Sequence, residues 1–163
     1  MKFLSIALIF ILSITSSRAQ KAPVGSEPLL NSYYEIKDAL VNTDAATASA
    51  KASEFIKASG SVDLKTIPVD KLAAFNILQK KLVSDAERIK ASKDINKQRD
   101  FFATFSLNFY SLAKMVKLSV QPVYQAYCPM KKMYWLSNEQ MIKNPYYGNT
   151  MLTCGSITDT INP

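Results

Sequence analysis

The chain has 163 residues, of which 20 are lysine or arginine and 13 are aspartate or glutamate, giving a formal net charge of +7. It contains no histidine, which excludes a Ser/His/Asp triad, a Cys/His pair and any zinc site built on imidazole. Its four glycines are scattered, so no glycine-rich phosphate-binding loop can be formed. We therefore predict that the protein is not an enzyme.

The first 19 residues predict a secretory signal peptide. Lys2 precedes the apolar run Phe3–Leu12, and Ser17-Arg18-Ala19 has the small-x-small pattern of a cleavage site. No later segment has the roughly 18 unbroken apolar residues that a membrane-spanning helix requires. We expect a periplasmic or secreted protein, cleaved after Ala19, that does not insert into the membrane.

Residues 20–121 predict a body of four amphipathic helices, because apolar residues recur at three- and four-residue intervals. Ser26 is expected to cap the first helix and Asp44 the second, which should end at Gly60 in a left-handed conformation. The third helix should follow Pro68, and the fourth should begin near Asp94. Helices with one apolar stripe each and short connections bury those stripes in an antiparallel bundle.

Residues 122–163 differ in composition and are expected to form a C-terminal segment of the same domain. They contain both cysteines, the only tryptophan and most of the methionines. The pattern predicts an extended run over 122–127, a short helix over 137–142, a turn over 144–149 and a frayed polar end. The predicted fold class is all-α: a four-helix-bundle-like body on which an irregular tail rich in Cys, Met and aromatic residues packs.

Two pairs of sulfur-containing residues lie near the ends of this tail: Cys128 with Met130, and Met151 with Cys154. Thiolate and thioether are soft ligands that favour Cu(I) or Ag(I), and the tail holds only two acidic residues for harder cations. We predict a metal site formed by these four residues, with Trp135 beside the ion, where an indole face stabilises a cation. Because thiols must lose their protons to bind, metal affinity should weaken at acid pH.

Each of these features is also compatible with a purely structural role. Two cysteines in an exported protein suit a disulfide, worth about 3 kcal/mol for a loop of this length, and free buried thiols are a further possibility. The methionines are compatible with gap-filling, and Trp135 and the nearby tyrosines with the tail's own core. The alternative function is an exported protein-interaction domain with a structural Cys128–Cys154 disulfide. Lysines and acids alternate along the helices, which indicates a solvated surface rather than a nucleic-acid site.

Four segments of the tail carry a family resemblance: Tyr127-Cys-Pro-Met, Tyr134-Trp-Leu-Ser, Asn144-Pro-Tyr-Tyr-Gly and Met151-Leu-Thr-Cys-Gly. Together they resemble the C-terminal signature of a bacterial domain of unknown function. In the body, Ala39-Leu-Val followed by Asp44, and the series Ile95, Arg99, Phe102 and Ser106, are similar to its helical portion. Members occur alone, as small exported proteins, or appended to periplasmic adaptor subunits of copper and silver efflux pumps.

The resemblance implies metal handling by a free-standing chaperone, sink or efflux accessory, with a heavy-metal efflux adaptor as a possible partner. It assigns Cys128, Met130, Met151 and Cys154 to the family's sulfur positions. It assigns Trp135, Asn144, Pro145 and Gly148 to the family's framework positions. Met133 and Met141 lie outside the pattern, and we expect them to be packing residues.

Overall fold

A computed structural model describes residues 22–163, so the predicted signal peptide over residues 1–19 lies outside the described residues. Four helices come first: α1 (Ser26–Val41), α2 (Ala45–Gly60), α3 (Val69–Ala91) and α4 (Ile95–Val116). Three strands follow: β1 (Val123–Cys128), β2 (Met133–Ser137) and β3 (Ser156–Ile161). Short 3-10 turns lie at Leu64–Thr66 and Gly148–Thr150. Within 22–163, no helix is both long and apolar enough to cross a bilayer.

The predicted helix boundaries of the body are largely confirmed. Asp44 caps α2 by accepting the backbone N–H of Thr47 at 2.9 Å, and Asp94 caps α4 in the same manner through Asn96 at 2.9 Å. The third helix follows Pro68 as expected. Local hydrogen bonding thus fixes these starts, which explains why the sequence reveals them.

Two predicted helix ends are wrong. Gly25, with φ of 85°, precedes α1, and the Ser26 hydroxyl donates to the Leu118 carbonyl at 3.2 Å instead of capping the helix. Gly60 is the last residue of α2 and is not left-handed; Ser61 follows it in an ordinary right-handed conformation. Ser26 thus bonds to a residue distant in sequence, and α2 ends without a left-handed residue.

The predicted apolar stripes form the core between the helices. The Tyr33 ring of α1 stacks on Phe109 of α4 with 4.5 Å between ring centroids, and Phe102 and Phe105 lie against the same ring. Consecutive helices pack on one another, and β2 packs on α4. The sheet therefore rests directly on the helix that carries most of the aromatic core.

The protein is not all-α, because the tail forms a three-stranded antiparallel sheet in the order β2-β1-β3. Trp135 pairs with Ala126, and Ser156 pairs with Tyr127. An extended run has no internal hydrogen bonds, so its buried backbone groups need partner strands. The expected extended run at the start of the tail becomes the central strand for this reason.

The predicted turn over 144–149 is confirmed, but two further predictions for the tail are wrong. Residues 138–142 contain no helix: the Ser137 hydroxyl accepts the Glu139 N–H at 3.0 Å and ends β2 with a local turn. The polar end, expected to fray, forms β3 because β1 offers it a free edge of backbone donors and acceptors. A polar segment next to an unpaired edge gains hydrogen bonds that it does not have alone.

A buried tyrosine hydroxyl joins the helices to the sheet. β2 is an edge strand, and its Leu136 N–H donates to the Tyr33 hydroxyl at 2.9 Å, while that hydroxyl also bonds the Ser106 hydroxyl of α4. All three residues are buried, and burial raises the pKa of Tyr33 above its ordinary value. The hydroxyl thus stays neutral and connects α1, α4 and β2.

Replacing Tyr33 by Phe should lower the free energy of unfolding by about 1–3 kcal/mol, because the buried Leu136 N–H loses its acceptor. The matched control is Tyr34→Phe, the next residue, whose buried hydroxyl has no hydrogen-bond partner among the described residues. Tyr34→Phe should leave the free energy of unfolding unchanged or raise it slightly. Urea unfolding of both variants is the measurement, and equal losses would contradict the assignment.

Candidate metal centre

The fold brings the two cysteines together. Cys128 is the last residue of β1, and Cys154 lies two residues before β3, the strand that pairs with β1. Their sulfur atoms are 4.0 Å apart and both thiols are free. Two sulfurs that share one ion at about 2.3 Å each lie about 3.8 Å apart at a tetrahedral angle. The observed separation is close to that value.

The cysteine pair lies at the edge of the core. Cys128 is completely buried and Cys154 is partly exposed, so the pair is closed on one side and open on the other. Burial raises the pKa of the Cys154 thiol and the adjacent Cys128 thiol adds to this rise, which the Met130 backbone amide partly opposes. A metal ion that binds here must therefore displace at least one thiol proton.

The structure does not bury the two predicted thioether ligands beside the thiols. Met130 lies in the turn between β1 and β2 with 63% of its surface exposed, and Met151 is 39% exposed. The backbone of Met151 is nevertheless next to the site, since its carbonyl accepts the Cys154 N–H at 3.1 Å. Both methionines thus carry surface side chains close to the cysteines along the chain.

A third methionine, Met133, lies next to Cys128 although the sequence pattern placed it outside the site. It is the antiparallel partner of Cys128 and is partly buried against the core. Directly opposed residues of antiparallel strands have Cβ atoms about 4.5–5.5 Å apart, with their side chains on one face. The two residues flank a four-residue turn, which is the signal that could have revealed the pairing. Met141, by contrast, is exposed and remains outside the site.

Trp135 borders the site but belongs to the core. It is almost fully buried, and its ring meets that of Tyr146 edge to face. A Cβ on Gly155, the residue after Cys154, would come 2.8 Å from the indole, and Gly155 has φ of 147°. Only glycine fits there, so this residue, which belongs to the quoted tail signature but was assigned no role, lets the chain pass close to the indole.

Asn144 holds the loop that carries Cys154. Its side-chain amide donates to the Cys154 carbonyl at 2.7 Å, and its oxygen accepts the Tyr146 N–H at 2.8 Å. Its backbone N–H donates to the Leu152 carbonyl at 2.8 Å. Asn144 is fully buried, so these hydrogen bonds fix the position of Cys154 relative to the core.

Arg99 of α4 fastens the same loop to the helices. Its Nε donates to the Pro145 carbonyl at 2.9 Å, and Nη2 donates to the Leu40 carbonyl at 3.0 Å and the Thr43 hydroxyl at 3.1 Å. Arg99 is buried, and desolvation lowers its pKa. Gly148 completes the contact, because a Cβ there would come 2.7 Å from a backbone oxygen of α1. The framework residues of the tail thus act by docking it on the body.

Within 22–163, no group of three or more His, Cys, Asp or Glu side chains is arranged to hold a metal ion. An ion between Cys128 and Cys154 would therefore take its charged ligands from two thiols alone. This donor set suits a soft monovalent ion better than a hard divalent one.

Comparison with known proteins gives a match in the body of the chain. A family model described as "Protein of unknown function (DUF3347)" matches residues 29–121, which is more than half of the chain. The match covers all four helices from Leu29 of α1 onward and ends before the tail. No curated protein and no solved structure matches the chain.

Replacing Arg99 by Lys should loosen the cysteine loop, because a single ammonium cannot reach three acceptors that a planar guanidinium bridges. We expect a loss of about 1–3 kcal/mol in unfolding free energy and faster amide hydrogen exchange over residues 144–154. Arg88→Lys on the surface of α3 is the control and should change stability by less than about 0.5 kcal/mol. Unchanged exchange in the loop would refute the anchoring role.

Proposed function

We propose that this chain, which belongs to the DUF3347 family of proteins of unknown function, is an exported protein that binds Cu(I) or Ag(I) between Cys128 and Cys154. The observation that carries the proposal is the 4.0 Å separation of two free thiol sulfurs from different parts of the tail. Thiolates are the preferred protein ligands of soft monovalent ions.

The surroundings of the thiols support a soft ion. Met133 offers a partly buried thioether on the Cys128 side, and Met130 and Met151 offer exposed thioethers on the solvent side. Two thiolates with one monovalent ion leave a net charge of −1, and the exposed side chains of Lys131 and Lys132 lie in the adjoining turn. These lysines can offset the negative charge of the ion and its two thiolates, so the site needs no carboxylate ligand.

The half-open position of the pair supports a carrier rather than a permanent structural site. The buried Cys128 retains an ion, whereas the partly exposed Cys154 and the surface methionines allow another protein's ligands to approach. This suits a periplasmic metal chaperone, a sink or an efflux accessory. The resemblance of the tail to domains appended to copper and silver efflux adaptors favours such an adaptor as the receiving partner.

Anaerobic titration of the reduced protein with Cu(I), in competition with a chromogenic chelator, should show one tightly bound ion per chain. Cys128→Ser or Cys154→Ser should weaken binding more than about 100-fold, since even outer residues of metal sites cost about 10–100-fold. Met133→Leu should weaken it about tenfold. Met141→Leu, exposed and outside the site, is the matched control and should bind as the unmodified protein does.

Two results would contradict this proposal. The first is a failure of the reduced protein to compete with the chelator, and the second is unchanged affinity in both cysteine variants. Met130→Leu and Met151→Leu complete the series. A larger loss in these two than in Met133→Leu would support the four ligands predicted from sequence, with both thioethers turning inward around the ion.

A second candidate is an exported interaction domain with a Cys128–Cys154 disulfide. It is favoured by the same proximity, because the sulfurs need only approach from 4.0 Å to about 2.05 Å to bond. The partly exposed Tyr127 and Tyr134 rings, 4.6 Å apart, would offer a partner the aromatic surface typical of interfaces.

Intact mass of the protein recovered from the periplasm, measured without reductant and after thiol alkylation, separates the two candidates. The metal proposal predicts two labels once the ion is removed by a chelator, on a chain that begins at Gln20. A mass lower by two hydrogens and no labelling would favour the disulfide. A chain that still begins at Met1 would contradict export by signal cleavage.

A further inference from the structure

The turn that joins β1 to β2 is a basic surface next to the cysteine pair. We call residues 129–132 the lysine turn: all four are exposed, and Lys131 and Lys132 are neighbours in it. Cys128 immediately precedes the turn, and its sulfur lies 4.0 Å from that of the partly exposed Cys154. Two positive charges therefore lie within a few residues of the proposed metal site.

Lys131 also connects the lysine turn to the loop that carries Cys154. Its Nζ lies 5.6 Å from the ring centroid of Tyr147, which belongs to that loop and is partly exposed. The face of an aromatic ring attracts a cation at this distance. This contact places the Lys131 charge between the segment that follows Cys128 and the segment that precedes Cys154.

The charge of the lysine turn is not neutralised by the acidic residues of the tail. Glu139 pairs with Lys143 at 2.7 Å, and Asp159 pairs with a lysine of α4 at 3.1 Å. Among residues 22–163, no carboxylate forms an ion pair with Lys131 or Lys132. Both ammonium groups are therefore available to a negatively charged partner.

Exposed thioethers accompany these charges. Met130 lies in the lysine turn with 63% of its surface exposed, and Met151, in the loop before Cys154, is 39% exposed. Thioethers are ligands for soft monovalent ions, so this surface combines positive charge with affinity for such an ion. Complementary charge accelerates association and fixes the orientation of two proteins.

We infer that the lysine turn and the two exposed methionines form a docking surface for an acidic protein that delivers or receives the soft metal ion. The identity of this cargo rests on the proposed function, but the test of the docking surface needs no metal. The probe is a synthetic peptide of alternating Met and Glu residues, and a peptide of alternating Met and Lys residues is its control.

NMR titration of the reduced, metal-free protein at low ionic strength should show saturable amide shifts with the acidic peptide and none with the basic one. The shifts should lie in residues 129–132 and 147–154. Combining Lys131→Glu with Lys132→Glu should weaken binding of the acidic peptide about 3–10-fold, because two attractive charges become repulsive. The matched control is Lys80→Glu with Lys81→Glu, the same charge change on an exposed lysine pair of α3, which should leave binding unchanged.

Alkylation of Cys154 gives a second measurement of the same charge. Iodoacetate is an anion and iodoacetamide is neutral, and both react with the thiolate, so the ratio of their rates does not depend on the thiol's pKa. The ratio should fall about 3–10-fold in the lysine-turn variant at low salt, stay unchanged in the α3 variant, and differ less at high salt.

Three results would overturn the inference: equal shifts with both peptides, shifts that lie outside the lysine turn and the cysteine loop, or equal affinity for the acidic peptide in the two double variants. Binding of the lysine turn to vesicles of anionic lipid, without binding of the acidic peptide, would also overturn it. Loss of Cu(I) binding alone is a separate outcome, because it would contradict the proposed cargo while the acidic docking surface stood.

Discussion

The arrangement of the tail depends on the hydrogen bonds of the buried Arg99 guanidinium. All of its hydrogen bonds in the described chain go to neutral oxygens, from the end of α1, the turn after it and Pro145 of the tail. A buried charge that lost these acceptors would cost several kcal/mol, so the loop has one favourable position on the body. The last turn of α1 suits the cation further, because the carbonyl end of a helix carries partial negative charge.

The geometry of the thiol pair follows from this anchoring. Arg99 fixes Pro145, the neighbouring Asn144 fixes the Cys154 carbonyl, and Gly155 lets the chain pass against Trp135 into β3. The pairing of β3 with β1 then brings Cys154 beside Cys128. The helical body thus contributes to the proposed metal site without supplying a ligand. This division agrees with a family match that covers the body and ends before the thiols.

Two adjacent tyrosines show how the hydrogen bonds of a buried hydroxyl decide what a residue contributes to the fold. Tyr33 bonds to α4 and to the edge strand β2, so its hydroxyl holds the helices and sheet together. The Tyr34 hydroxyl, in contrast, is buried without a hydrogen-bond partner among the described residues. Tyr33 therefore stabilises the fold through hydrogen bonds, whereas Tyr34 contributes through the packing of its ring, which meets that of Tyr33 edge to face.

The sequence alone determined the four helices, because their apolar period and caps such as Asp44 and Asp94 act over a few residues. It also identified the two cysteines that the structure brings together. Only the tertiary structure decided that the tail is a sheet, that Met133 lies opposite Cys128, and that Met130 and Met151 are largely exposed. The pairing of β3 with β1 and the burial of side chains depend on contacts between distant segments, whereas only the β1–β2 register has a local signal, in the length of the turn between the two strands.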